Sequence, residues 1–369
     1  MELEEYKKTK NLTDADLGWF WLDSFKFLTL NKKNKIYNLI KSGKEVFNLQ
    51  KYEKELKAIC ENDYSKLVDC ANNEYLKMVW KELDGVVDFI SIENPNYPSQ
   101  LKNTDIPPIV LYYKGDLSLL KTNIVAIVGT RMYDNYGYLI TQKFAKELCR
   151  SGVTILSTLS EGLDTIAHNV TIENKGKTIA VISGGINKIY PSINTELSKK
   201  IASVGLVIGE WAPQTETMNY MFQMRARLVA GLSSAVLVTE AGMKSGVKYI
   251  TDYAEMYNRT IYAIPGNINS YKSSYTNLLI KNCQSMLVTS PKEILDEMNI
   301  VYIPIKEKED VSDEESLIFA ILDDVQEAHF DYLVLKTGIA SRKLLSILTG
   351  LEIRKKIKKM AGNKYVRII

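Results

Sequence analysis

Six short apolar runs recur about 25–30 residues apart, at 124–128, 153–157, 178–182, 205–208, 234–238 and 260–264. The gaps between them, at 137–150, 162–174, 192–203, 220–231 and 245–257, carry helical periodicity. Runs of four or five aliphatic residues are too short for helices. They lack the polar alternation of a half-wetted strand, so they read as strands buried on both faces. Strand and helix in alternation leave few solutions, and the expected fold is α/β: a Rossmann-like, doubly wound parallel sheet. Right-handed crossovers put every strand's carboxyl end on one rim, where open α/β sheets bind their ligands. The rim loops are 129–137, 157–164, 183–191, 209–219, 239–246 and 265–275.

The flanks have a different character. Residues 12–83 carry many charges on a helical period, and Gly43 is the only glycine between 19 and 84. They read as a helical N-terminal domain, 1–85. Residues 86–120 hold two strand-like runs, Val-Val-Asp-Phe-Ile-Ser-Ile and 109–113, around the turn-forming Asn94-Pro-Asn-Tyr-Pro-Ser. They read as a connector into the sheet, opening a core domain at 86–303. The charged run at 304–315 reads as a linker. Beyond it, 316–369 offers helix candidates at 314–322, 330–335, 341–348 and 351–360. The hairpin-like Gly362-Asn-Lys-Tyr-Val-Arg completes what reads as a winged helix.

Composition narrows the chemistry. Net charge is +3 over 369 residues, so any basic patch is local. Four scattered cysteines without a Cys-x-x-Cys pair give no disulfide or zinc pattern, and two histidines give no metal set. The opening Met-Glu-Leu-Glu-Glu does not read as a signal peptide, and no apolar run approaches the ~20 residues of a membrane span. The expectation is a cytoplasmic protein with no cofactor, no metal and no membrane contact.

The rim loops carry the distinctive residues. Gly129-Thr130-Arg131 ends the first strand, where glycine allows a sharp turn and a guanidinium has phosphate as its natural partner. Ser157-Thr-Leu-Ser-Glu-Gly162-Leu-Asp164 and Lys244-Ser245-Gly246 offer hydroxyls and glycine at helix starts, which favour anions through free N–H groups and the helix dipole. His168 is a packing residue or a ligand contact. Arg225-Ala-Arg227 sits near the start of a further helix, the two arginines on different faces. Together these make a multi-point phosphate rim. There is no GxxxxGK[ST] and no GxGxxG. No catalytic constellation stands out. Glu161, Asp164, Glu210 and Glu240 either orient the arginines or serve as acid and base in a nucleotide-binding or nucleoside-phosphate hydrolase. Tyr133, Tyr136 and Phe222 are stacking candidates. The basic run from Arg354 to Lys359 is a duplex grip or a solvated helix end.

At these residues the chain resembles the DprA/Smf family, the DNA-processing protein A of bacterial transformation. The matching stretches include Tyr97-Pro98, Pro107-Pro108, Leu111-Tyr-Tyr-Lys-Gly115, Ile127-Val-Gly-Thr-Arg131 and Tyr136-Gly137. Gly162-Leu-Asp164, Ala167-His168, Tyr190-Pro191, Glu210, Phe222 with Arg225 and Arg227, Glu240, Ser245-Gly246, Arg259 and Pro265-Gly266 follow in order. His329-Phe-Asp331, Thr337-Gly338 and Leu351-Glu352 resemble the family's winged helix. The resemblance implies a non-enzymatic homodimer that binds single-stranded DNA and loads the RecA recombinase. It implies phosphate contacts at Arg131, Lys175, Arg225 and Arg227, in a pocket shaped by Gly129, Ser157 and Ser245. With Thr130, Gly162, Lys244 and Gly246 from the rim, these are the candidate binding residues. The chain departs from the family in several places. Its Arg225-Ala226-Arg227 stands where the family usually has Arg-Asn-Arg, which removes an amide able to bond a base or phosphate.

Overall fold

The computed structural model describes residues 3–10, 12–82, 88–304, 312–325, 327–354 and 356–367. Most of the charged run after 304 lies outside them. The chain divides into two compact units, Met1–Ile303 and Pro304–Ile369.

The first unit is built on a nine-stranded sheet. Its strands are β1 (Asp88–Ser91), β2 (Val110–Gly115), β3 (Ile124–Val128), β4 (Thr154–Thr158), β5 (Thr178–Val181), β6 (Leu206–Gly209), β7 (Ala235–Val238), β8 (Thr260–Ala263) and β9 (Met286–Leu287). The order is β1-β2-β6-β5-β4-β3-β7-β8-β9. From β6 to β9 every pairing is parallel. The two strands read as a connector instead join the sheet: β2 pairs antiparallel with β6, and β1 with β2. The sheet is therefore mostly parallel with an antiparallel edge, a common device in doubly wound folds.

Two-sided burial explains the continuous apolar runs. Along β3, Ile124, Ala126 and Val128 face one core, and Val125 and Ile127 face the other. The first core takes Leu228, Val229 and Leu232 of the helix Asn219–Leu232, and Ile250 and Ala254 of the helix Val247–Met256. The second takes Phe144 and Leu148 of the helix Asn135–Arg150, and Ala167 and Val170 of the helix Leu163–Glu173.

The N-terminal helices belong to the first core. Trp19, Phe20, Trp21 and Phe25 are fully buried in the same cluster as Phe89 and Tyr112 of the antiparallel edge. Phe20 stacks on Phe89 with ring centres 4.7 Å apart. Polar ties reinforce this: Ser91 donates to Asp16 (2.7 Å), and the Tyr112 hydroxyl donates to Asp23 (2.8 Å), which also pairs with Lys33 (3.0 Å). A buried aromatic of this size costs about 3–5 kcal/mol to truncate, so this segment is structural to the first unit.

The second unit holds the helices Asp313–Val325, Phe330–Thr337 and Ser341–Ile353 and the strands β10 (Glu327–His329), β11 (Ile357–Met360) and β12 (Lys364–Arg367). The sheet order is β10-β12-β11, all antiparallel. The helix expected over 351–360 is not there. The preceding helix ends at Ile353, and Ile357–Met360 pairs with β12, with Ile357 buried and the next three residues exposed. Gly362 and Asn363 both take positive φ (77° and 54°), the left-handed pair that a tight hairpin needs.

Candidate functional site

The parallel strands end on one rim, and a cleft of about 400 Å³ opens there beyond β3, β4 and β7. The turn after β3 gives Gly129, Thr130 and Arg131, and the turn after β4 gives Thr158, Ser160 and Asp164. The helix Asn219–Leu232 adds Phe222, Arg225 and Ala226. The approach to the helix Val247–Met256 adds Lys244, Ser245, Gly246 and Tyr249.

Close backbone contacts hold these loops together. A Cβ at Gly162 would lie 2.5 Å from the Thr130 carbonyl oxygen and 2.6 Å from Arg131 Cα, and Gly162 has φ +89°. Glycine there lets the β4 loop sit against the Arg131 turn. The Thr130 N–H donates to the Glu240 carbonyl (2.8 Å), tying that turn to the β7 loop. Asp134 caps the helix Asn135–Arg150, accepting from the N–H groups of Tyr136 and Gly137.

The cationic wall is specific. Phe222 lies beside two guanidiniums, with Arg131 and Arg225 Cζ each 5.6 Å from its ring centre. Arg131 is exposed, while Arg225 is 7% exposed. Arg225 Nη2 donates to Ser160 Oγ (3.1 Å), and its Nε has no partner among the described residues. Burial, with Arg131 adding to it, pulls Arg225 down to about 10, against the favourable pull of Asp164. Asp164 is pushed up to about 6, chiefly by burial, and opposed by its bond from Thr158, by Arg225, by the Gly129 N–H (3.1 Å) and by Arg131. Lys244 is exposed at the opposite lip. The cleft lining thus holds three cations, two of which act on one weakly acidic carboxyl.

Of the expected binding residues, the structure brings Gly129, Thr130, Arg131, Arg225, Lys244, Ser245 and Gly246 together in the cleft. It does not bring the other four. Arg227 is fully buried and pairs with Glu210, itself buried, two positions along the helix from Arg225. Ser157 is fully buried on β4 and donates to the Ile127 carbonyl (2.6 Å). Gly162 supports the loops from behind. Lys175 follows the far end of the helix Leu163–Glu173, at the opposite end of the sheet, with φ 57°. From this loop the cleft hydroxyls are instead Thr158 and Ser160; strand alternation turns Ser157 the other way. Tyr249 and Met132 also line the cleft and carried no sequence signal.

His168 is a packing residue, fully buried and hydrogen-bonded to Thr178 Oγ1 (2.7 Å) and the Thr158 carbonyl (3.1 Å). Burial pulls it down to about 4. Glu240, read above as a candidate acid or base, is not among the cleft residues. Its Oε2 accepts from the Asp134 N–H (3.3 Å), and burial pushes it up to about 7. Tyr136 donates to the Pro265 carbonyl (2.7 Å) and Tyr133 stacks near Tyr138, so Phe222 is the stacking candidate that lines the cleft.

Fold and cleft define an α/β protein that presents arginines, hydroxyls and aromatic rings in a cleft at the strand ends. Residues 88–299 match the family model described as DNA recombination-mediator protein A, and the chain belongs to that family. The DNA processing protein DprA of Bacillus subtilis is 35% identical over 215 residues, 58% of this chain and 71% of that protein. The crystal structure of DNA processing protein A from Streptococcus pneumoniae superposes with a TM-score of 0.65 at 29% identity, covering 76% of this chain and 97% of that one. The Helicobacter pylori protein, described for its single-stranded DNA binding mode, matches with a TM-score of 0.53 at 29% identity over 57% of this chain and 96% of that one. Among the described residues no helix is long and apolar enough to cross a membrane.

Proposed function

We propose that the cleft binds single-stranded DNA, with the phosphates on Arg131, Arg225 and Lys244 and a base stacked against Phe222. On this reading the chain works in the cytoplasm as a homodimer that protects the strand and hands it to the RecA recombinase during recombination and transformation. The observation that carries it is Arg225. Its guanidinium lines the cleft, almost fully buried, with the neutral Ser160 hydroxyl as its hydrogen-bond partner, an arrangement that is costly unless an anion joins it there. Phe222, beside both guanidiniums, adds a sequence-tolerant stacking surface next to the phosphate contacts. The membership in the family, and the strand-binding relative from Helicobacter pylori, support the same ligand. We read the role as one of binding, because three of the four rim carboxylates are used internally: Glu210 on Arg227, Glu240 on the Asp134 turn, and Asp164 on Thr158 and Gly129. In the second unit, three helices and a strand pair closed by a tight turn support a winged helix.

The test is filter binding of single- and double-stranded oligonucleotides by wild type and Arg131→Ala. Retention of the single strand, lost in the variant, is expected. Equal retention of duplex, or an unchanged variant, overturns the reading.

A further inference from the structure

A second cavity, of about 240 Å³, lies on the same rim and has no part in the cleft. Its floor is Tyr112 of β2 and Phe20; its walls are Phe27, Tyr75 and the segment 212–215, with Lys26 at the mouth. The cavity is at the carboxyl end of β6, because Tyr112 pairs with Gly209, the last residue of that strand. It is lined by aromatic rings and a lysine, and none of its lining residues is an aspartate or glutamate. Lys66, paired with Asp63 (3.3 Å), lies 5.7 Å from the Phe27 ring centre, outside the lining.

One connection serves both sites. The chain leaving β6 lines the cavity with Ala212, Pro213, Gln214 and Thr215, then enters the helix whose Phe222 and Arg225 form the cleft wall. Exposed rings lie between the two. Tyr220 sits edge-on to Trp211 (5.8 Å), and Tyr190 is 5.7 Å from Phe222. In the sheet, β6 lies two strands from β4 and three from β3. At a strand spacing of about 4.8 Å that is roughly 10–14 Å, within the reach of a few nucleotides.

We propose that this aromatic cavity is a second base-binding subsite for the strand held in the cleft. An extended strand leaves the Phe222 platform, passes over the ends of β5 and β6, and seats one base against the half-buried Phe27 and Tyr75, above the buried floor, with Lys26 at its phosphate. Aromatic walls accept any base face, and lysine supplies the charge that a sugar-phosphate chain requires. The inference rests on the strand-binding reading of the cleft.

The test uses the full chain and oligothymidylates of two lengths: a trimer, which fills the cleft alone, and a dodecamer, which spans both sites. Lys26→Glu and Gln214→Trp alter exposed positions at the cavity mouth, and neither disturbs the core. Each is expected to weaken the dodecamer roughly five- to a hundredfold, the loss of one stacked base, and to leave the trimer unchanged. A dodecamer carrying 5-iodouracil at successive positions is expected to crosslink at Tyr75 or Phe27 when the label lies a few nucleotides from the cleft. Equal binding of the dodecamer by wild type and both variants, with crosslinks confined to cleft residues, overturns the subsite. So does capture of an aromatic peptide by the cavity with no effect of the variants on DNA. Failure of the underlying reading has a different signature: Arg131→Ala then leaves both lengths unaffected.

Discussion

Counterion release makes the number of phosphate contacts measurable. Each phosphate neutralised on a single strand contributes about −0.7 to the slope of log K against log salt. The cleft offers three cations, Arg131, Arg225 and Lys244, because Arg227 is committed to Glu210. The expected slope is therefore about −2.1, a weakening of roughly 18-fold for a fourfold rise in salt. Removing Arg131, the exposed guanidinium over Phe222, takes it to about −1.4, or roughly sevenfold over the same range. The assay is fluorescence anisotropy of a labelled oligothymidylate across a salt series, with wild type, Arg131→Ala and the double variant Arg227→Met/Glu210→Leu. The double variant replaces the buried pair by apolar groups and is expected to keep the wild-type slope. A wild-type slope near −0.7, or a drop of 0.7 in the double variant, refutes the division between cleft arginines and core arginine.

Arg227→Ala alone leaves Glu210 buried without its partner and is expected to cost about 3–5 kcal/mol of stability in urea unfolding, with the double variant within roughly 1–2 kcal/mol of wild type. Asp164 gives a pH signature. Its folded pKa, about 6, lies above its ordinary value of 3.8, so its ionisation opposes folding increasingly as pH rises between those values and fully above about 6. An anion in the cleft favours the protonated form, so strand affinity is expected to rise roughly three- to tenfold on going from about pH 8 to about pH 5. Asp164→Asn should flatten that profile in an anisotropy titration. Ala226 lines the cleft and is almost fully buried, so Ala226→Asn puts an amide where the family's usual Arg-Asn-Arg carries one. A gain of roughly two- to tenfold in affinity is expected for one added hydrogen bond, and no gain with intact stability sinks the assignment. Deleting 312–369 should leave single-strand affinity within about twofold, since the cleft lies wholly in the first unit.

The sheet was legible because burial on both faces writes itself as unbroken apolar runs. All six strands from β3 to β8 lie within a residue of their expected bounds. The antiparallel edge was not, because β1 and β2 carry the same apolar signal as a connector and only pairing with β6 distinguishes them. Likewise Lys358 and Lys359 suit a helix end or a strand, and the left-handed turn at Gly362 and Asn363 decides between them. In the site, Gly129, Thr130, Arg131, Lys244, Ser245 and Gly246 come together at the strand ends, since the place of those turns follows from topology alone. Of the residues outside the cleft, Lys175 follows a helix's far end and Gly162 packs behind the Arg131 turn, while for Ser157 and Arg227 the direction depends on phase. Arg225 and Arg227 are two apart on a helix lying against the sheet, so about 200° separates their side chains. If one reaches the rim, the other must enter the core, where it survives only beside a carboxylate such as Glu210. Ser157 and Thr158 differ by one position on a strand, which sends one hydroxyl to the Ile127 carbonyl and the other to the cleft. The spacing of such pairs shows that only one member can face the cleft. Which member does so is set by the register of the element in the fold, and that register is a tertiary property.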